Sequence, residues 1–242
     1  MEVKIKEVVK QRYADVAQGA SCCSGITGAP RNRVLAQRMG YTEEDLALVP
    51  ESTLNSFAGC GNPLAIDDLK EGEIVLDLGS GAGLDCFLAA TKVGPRGKVI
   101  GLDMTQEMLA KAEANRRKMG LGNVEFRLGE MEKMPLEEAS VDAIISNCVI
   151  NLSPEKGKVF REAYRVLKPG GRIMISDMVL EKELPPEVKK DPRAWASCIA
   201  GAVLEREYLK MIEEAGFVDI EVLSRKPYGP VVSAMVRANK RK

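Results

Sequence analysis

Ile74-Val75-Leu76-Asp77-Leu78-Gly79-Ser80-Gly81-Ala82-Gly83 is the stretch whose reading decides the fold. An apolar run bounded by glycine reads as a strand buried on both faces, and Leu84 to Val93 behind it carries apolar residues at helical spacing. Strand, glycine turn and helix together make a nucleotide-holding unit. Glycine lets the backbone turn sharply and a ligand come close, while the first turn of the helix offers unpaired N–H groups. The spacing Gly79-x-Gly81-x-Gly83 differs from the G-x-G-x-x-G that seats a pyrophosphate on a helix N-terminus.

Acids flank the glycines. Asp77 stands two residues before Gly79, where a carboxylate repels a phosphate and attracts a cationic or hydroxyl-bearing ligand. Asp103 closes the next strand, Lys98-Val99-Ile100-Gly101-Leu102-Asp103. An acid about 20 residues past the glycines of a βαβ unit can accept both ribose hydroxyls. This arrangement resembles the class I methyltransferases, and the resemblance implies S-adenosyl-L-methionine as cofactor. Two acids around a sulfonium nucleoside are electrostatically sensible.

Downstream of this unit the pattern predicts strands at 74–79, 97–102, 123–128, 141–146 and 171–176, with helices at 84–93, 105–119 and 154–167 between them. A helix at 205–215 and strands at 217–224 and 230–237 follow. Such alternation predicts an α/β, Rossmann-like sheet, mostly parallel, with helices on both faces. Upstream, an N-terminal helical and loop extension is expected: an amphipathic helix over 3–17, then a helix within 31–50 with Thr42 as an N-cap. The division expected is 1–70 for these helices and cysteine loops and 71–242 for the cofactor-binding domain. Asp77, Asp103, Glu130, Asn147 and Asp177 all fall at carboxyl ends of strands, where ligands of such sheets bind.

Composition removes several classes of function. Lys plus Arg and Asp plus Glu both number 35, and the only basic block is Lys240-Arg241-Lys242, so nucleic acid is not expected as a partner. No apolar run reaches the ~18 residues of a membrane span, and no signal-peptide core is seen at the N-terminus, so no membrane partner and a cytoplasmic location are expected. The absence of histidine excludes Ser-His-Asp and Cys-His catalysis and every His-ligated metal site.

Six cysteines remain to be explained. Cys22 and Cys23 sit in a Gly/Ser loop that has little apolar surface in which to bury them. Cys60 lies between two glycines, which reads as a thiol held close to backbone instead of packed in a core, and makes it a candidate ligand. Cys148 falls at the ligand-facing tip of a central strand, and Cys198 in a small-residue helical stretch, 195–202, placed to cover the site. Cys86, in the helix after the glycine loop, reads as structural.

With these thiols the resemblance narrows to the arsenite methyltransferases. It is carried by Asp77-Leu-Gly-Ser-Gly-Ala-Gly-Leu-Asp-Cys86, Gly101-Leu-Asp-Met-Thr105, Ser146-Asn-Cys-Val-Ile-Asn-Leu152, Arg165-Val-Leu-Lys-Pro-Gly-Gly171 and Cys198-Ile-Ala-Gly-Ala202, with Gly59-Cys60-Gly61 ahead of them. The resemblance implies that Cys148 and Cys198 bind trivalent arsenic and that Cys60 and the Cys22/Cys23 loop complete the site and take part in disulfide exchange; Cys60, Cys148 and Cys198 are the arsenic ligands expected, and all five cysteines are candidates for the catalytic cycle. It further implies an arsenite–thiol adduct as the small-molecule substrate and an external thiol reductant, thioredoxin or glutathione. On the cofactor side it places Asp103 at the ribose and Asp77, Gly79, Ser80 and Gly81 at the methionine and sugar. Met104, Glu130 and Met131 go to the adenine, and Asn147 to the amino-acid end. Soft trivalent arsenic prefers thiolates, and three of them leave its lone pair free to attack a methyl group. Two other readings stay open: a methyltransferase acting on a small carbon-centred acceptor, and a thiol-based metal- or metalloid-binding protein, although no Cys-x-x-Cys pair supports structural zinc.

Overall fold

The computed structural model describes residues 2–20, 29–66 and 69–242 of the chain. Helices α1 (Glu2–Ala17), α2 (Ala29–Met39), α3 (Glu43–Ala47) and α4 (Glu51–Leu54) come first. Then follow β1 (Ile74–Leu78), α5 (Leu84–Val93), β2 (Lys98–Asp103), α6 (Gln106–Met119), β3 (Val124–Leu128), β4 (Val141–Asn147), α7 (Lys156–Val166) and β5 (Leu167–Val179). The chain continues through α8 (Pro186–Lys189), α9 (Pro192–Ala196), α10 (Glu205–Glu214), β6 (Val218–Tyr228) and β7 (Val231–Asn239).

The strands form one sheet in the order β3-β2-β1-β4-β5-β7-β6. The pairs from β3 to β5 are parallel, and β7 runs antiparallel between β5 and β6. This is a mostly parallel α/β sheet, as the alternating pattern predicts. Because successive side chains of a strand point to opposite faces, each central strand feeds two cores. Leu76, Leu78, Ile144, Ile173 and Ile175 join α7 and α10 on one face. Val75, Ala143, Ile145 and Met174 join α5 and residues of α2 to α4 on the other. Tyr41, Leu46 and Leu54 are buried in that second core, so the N-terminal helices are packed directly on the sheet. Full burial of a Leu- or Phe-sized side chain contributes roughly 1.5–3 kcal/mol. Phe160 and Tyr208, both fully buried and edge-to-face at 5.3 Å, make one such contact between α7 and α10.

Local chemistry accounts for the ends of several elements. Thr42 begins α3 with a capping box: its hydroxyl accepts from Asp45 N–H at 3.1 Å and the Asp45 carboxylate accepts from Thr42 N–H at 3.0 Å. Gly120, at φ +67°, ends α6 in the left-handed conformation that glycine takes without strain. Two details depart from the sequence reading. The strand expected at 171–176 is longer: β5 starts at Leu167 directly after α7 and includes Lys168-Pro169-Gly170-Gly171; Leu167 pairs with Val141, with a register irregularity before Ala143. Residues 197–202, expected as helix, are turns beyond the end of α9.

The chain leaves β1 for β2 and β3 on one side and returns to β4 on the other. This reversal sits between β1 and β4, and a crevice opens at their carboxyl ends.

Candidate active site

The crevice is a cleft of about 1050 Å³, its open mouth included. Every residue expected around a cofactor lines it: Asp77, Gly79, Ser80, Gly81, Asp103, Met104, Glu130, Met131 and Asn147. Gly79, at φ +65°, has no room for a Cβ, which would stand 2.4 Å from Val149 Cγ2. Asp103 organises the turn, Oδ2 accepting from Gly81 N–H at 2.9 Å and Oδ1 from Thr105 N–H at 2.8 Å. Ser80 Oγ is buried and lacks a hydrogen-bond partner among the described residues. Such an orphan costs free energy until a ligand satisfies it. Free carboxylate capacity at Asp77 and Asp103, an orphaned hydroxyl and a glycine-lined wall fit the sulfonium nucleoside implied by the sequence.

Burial is strong here. Asp77 is 2% exposed, and burial together with nearby Asp85 holds its carboxyl well above the usual range. It accepts the Cys86 thiol proton at 3.1 Å, so Cys86 is a buried partner of Asp77. Asp85, which the sequence reading passed over, also lines the cleft; burial pushes its carboxyl up to about 6, against the hydrogen bonds of Tyr41 and Asn147. From the N-terminal side α1 covers the cleft, with Lys6 Nζ at 2.8 Å from Glu130 and 3.1 Å from Glu132.

Beside the cleft is a smaller cavity lined by Cys60, Cys148 and Cys198 together with Tyr13, Met178 and Tyr228. Three thiols from positions 88 and 50 residues apart thus meet in one place. Each is buried and free. Contrary to the sequence reading, Cys60 is packed in a core: it is 2% exposed, within an apolar cluster that includes Val9, Leu152 and Met178. Its loop is pinned from three strands. Asn147 Oδ1 accepts from Cys60 N–H at 3.0 Å, Ser233 Oγ donates to Cys60 O at 2.7 Å, and the Cys60 thiol faces Ser176 O at 3.6 Å. The two Nδ2 hydrogens of Asn147 are shared among Gly61 O, Tyr41 Oη and Asp85 Oδ2, all within 3.1 Å, so its amide is spent on holding the Cys60 loop and bridging it to the cleft.

Cys148 and Cys198 are both in left-handed backbone, at φ +60° and +61°. This conformation costs a non-glycine residue of order 1–3 kcal/mol and is tolerated where surrounding structure over-determines it, as functional sites do. At Cys148 the N–H is held by Ser176 O at 2.7 Å, and the Cys198 thiol faces Cys148 O at 3.5 Å. The neighbouring thiols Cys198 and Cys60, with burial, push the Cys148 thiol well up; burial raises Cys60 as well. Cys148 lines both cavities. Cys22 and Cys23 lie outside the described residues.

Two buried charged side chains, Asp177 beside the thiols and Lys156 interacting with it, carried no signal in the sequence beyond the strand-end position of Asp177. Asp177 is 1% exposed, and burial raises its carboxyl to about 6. Lys156 is 6% exposed, donates to Ser153 O at 2.8 Å and sits over the Trp195 ring at 5.6 Å; burial lowers its ammonium to about 8.

Comparison with known proteins agrees with this geometry. Residues 69–216 match the family model of a methyltransferase domain. The chain is 47% identical to an arsenite methyltransferase of Halobacterium salinarum over 90% of its own length and 58% of that protein. It is 41% identical to an arsenite methyltransferase of Aquipseudomonas alcaligenes over 95% of its length and 66% of that protein. It therefore spans about three fifths to two thirds of these curated relatives. Among solved structures, an arsenic(III) S-adenosylmethionine methyltransferase from Chlamydomonas reinhardtii superposes with a TM-score of 0.68 at 35% identity, covering 90% of this chain and 75% of that one. With its sheet order, its glycine-lined cleft and its buried trio of thiols, this chain belongs to the arsenite methyltransferase family of class I S-adenosylmethionine-dependent methyltransferases.

Proposed function

We propose that this protein transfers a methyl group from S-adenosylmethionine to trivalent arsenic held by Cys60, Cys148 and Cys198. The observation that carries the reading is the double position of Cys148, whose side chain lines the cofactor-type cleft and the thiol cavity at once. An arsenic atom bound there stands at the boundary between donor and acceptor spaces.

S-adenosylmethionine supplies, when bound, a methyl group on a cationic sulfur. Asp103 and Asp77 are the groups to meet its ribose hydroxyls and its charged portion, with Ser80 and the Gly79 and Gly81 backbone alongside; Met104, Glu130 and Met131 form the remaining wall. Asn147 acts indirectly, by fixing the loop of Cys60. The thiols take arsenic by ligand exchange: each S–H proton leaves with a departing hydroxide or thiolate as water or thiol, and an As–S bond replaces As–O or As–S. Orientation is the protein's main contribution, and well-placed reactants gain roughly 7–11 kcal/mol. Exclusion of water by α1 and the apolar lining of the cavity protects the reacting lone pair. Attack of the lone pair on the methyl group raises arsenic from the trivalent to the pentavalent state. Return to trivalent takes two electrons from two cysteine thiolates, which leave as a disulfide to be re-reduced by exchange with an external thiol, thioredoxin or glutathione, with Cys22 and Cys23 as the candidates to relay it. The location that suits such a reductant is the cytoplasm; among the described residues no helix is long and apolar enough to cross a membrane.

The direct test is incubation of the protein with S-adenosylmethionine, arsenite and a thiol reductant, followed by chromatographic speciation of arsenic. Methylated arsenicals are the expected product. Cofactor binding without methylated arsenic would return the search to carbon acceptors.

Two further outcomes follow from the thiol environments. Only the thiolate attacks, and both Cys60 and Cys148 are raised above the ordinary thiol range, so both are protonated at neutral pH. The rate of arsenite capture is expected to climb about tenfold per pH unit, well past the ordinary thiol pKa of about 8.5, before it levels. Rapid-quench measurement of bound arsenic across pH checks this; a plateau already at neutral pH would mean that a thiol is activated in a way these environments do not provide. Cys86→Ser keeps a donor for Asp77 and is expected to leave arsenite methylation near the wild-type rate, whereas an arsenic ligand would not tolerate the exchange.

A further inference from the structure

Close to the sulfurs of Cys60 and Cys148 is a donor for which trivalent arsenic has no use. A carboxylate oxygen of Asp177 and the sulfurs of Cys60 and Cys148 all lie within 4.8 Å of one another, with all three side chains buried. Cys198 is not part of that triangle. Cys60 and Cys148 therefore have two candidate third donors: the sulfur of Cys198, which lines the same cavity, and the oxygen of Asp177, which completes the compact triangle.

The two suit different ions. Trivalent arsenic makes three bonds, keeps a lone pair, and as a soft centre selects three thiolates. A closed-shell divalent ion such as zinc has no lone pair to accommodate and accepts sulfur and carboxylate together in a tetrahedron. With Zn–S near 2.3 Å and Zn–O about 2.0–2.2 Å, its ligand atoms stand roughly 3.5–3.8 Å apart, so donors within 4.8 Å of one another need to draw in by at most about 1.3 Å. Asp177 is already oriented as a ligand's carboxylate must be. Its Oδ2 accepts from Asn151 N–H and from Tyr208 Oη, both at 2.9 Å, and its Oδ1 from Met178 N–H at 2.8 Å. Two thiolates and a carboxylate around a divalent ion leave one negative charge, and the buried Lys156 ammonium, which interacts with Asp177, offsets it.

We propose that Cys60, Cys148 and Asp177 form a binding site for thiophilic divalent cations of the zinc and cadmium class, which compete with arsenite for the two shared thiols. The inference rests on the same cavity as the proposed function but on a different third ligand. Binding breaks two S–H bonds and forms two metal–sulfur bonds; both protons leave to solvent and no electron is transferred. A water completes the tetrahedron. Asp177 then sets the balance between ions, since its oxygen serves the divalent cation and not arsenic.

Cobalt(II), added to the reduced full chain without oxygen, is the spectroscopic probe. A thiolate-to-cobalt charge-transfer band with the strong visible bands of a tetrahedral ion, both abolished by zinc, is expected. Asp177→Asn should weaken cobalt binding about 10- to 100-fold, the range that disturbance of a metal ligand's surroundings already costs, with arsenite binding in equilibrium dialysis unchanged. Cys198→Ser should do the reverse. X-ray absorption at the zinc edge of the wild-type protein, which needs no variant to fold, should count two sulfurs with oxygen in the remaining positions. No charge-transfer band, three sulfurs at zinc, or equal cobalt loss in the two variants would overturn the site. Arsenite dialysis on the wild type judges the arsenic site separately, so failure of one is distinguishable from failure of the other.

Discussion

Cys148→Ser is expected to reduce arsenite methylation by at least about a hundredfold while leaving the affinity for S-adenosylmethionine unchanged. The size follows from geometry: a misplacement of about 1 Å at a reacting centre costs on the order of a hundredfold, and here a ligand disappears. A serine oxygen is hard and weakly acidic, so it does not replace a thiolate on a soft centre. The substitution is close to isosteric, keeps the left-handed backbone at φ +60° and retains the N–H bond to Ser176 O, so the cleft keeps its shape. Isothermal titration with the cofactor and arsenic speciation on the same preparation separate the two effects. Near-wild-type methylation by the variant would remove arsenic from this cavity. Loss of both cofactor affinity and activity would show that the thiol matters to the fold instead.

Gly61→Ala is expected to be nearly as damaging, for steric reasons. A Cβ at Gly61 would stand 1.9 Å from Ser176 Oγ and 2.9 Å from Ser176 Cβ, inside a loop pinned from β4 and β7. Nothing flexible can move aside, because Ser176 belongs to a central strand and its side chain is buried. Overpacking of this kind costs roughly 1–3 kcal/mol. The loop that must shift carries Cys60, so methylation should fall about a hundredfold with cofactor affinity largely kept. Denaturant melts together with assays of Gly61→Ala and of the double variant with Ser176→Gly check the cause. Recovery of stability in the double variant supports the clash; an undiminished loss would place the effect elsewhere in the loop.

Much of the site was legible in the sequence because strand ends are legible. Asp77, Asp103 and Cys148 each close an apolar run, and the rule that ligands sit beyond the carboxyl ends of parallel strands brings them together without coordinates. Asp85 could have been found by the same logic, as an acid in the first turn of the helix that follows the glycine loop. Tyr41 and Lys156 could not. Each acts through a contact between elements distant in the chain, Tyr41 Oη with Asp85 at 2.6 Å and Lys156 with the Trp195 ring, and local pattern has no signal for such pairs. The burial of Cys60 was likewise misread. Flanking glycines mark a backbone that must come close to something, and here they permit the approach of Asn147 and Ser176, which carries the thiol into a core.

The sequence by itself determined the sheet, its direction and the cofactor-facing edge, because hydrophobic periodicity and glycine placement act over a few residues and oblige the backbone locally. Only the tertiary structure decided how the thiols are used. Cys60, Cys148 and Cys198 meet through contacts of the loop after α4, a central strand tip and a turn after α9, which no local rule specifies. It also decided that Asp177 stands beside the sulfurs of Cys60 and Cys148, since its place depends on how β5 is set between β4 and β7. Long-range packing joins these groups, and there the neighbouring thiols with burial raise the thiol of Cys148, while burial raises the thiol of Cys60 and the carboxyl of Asp177.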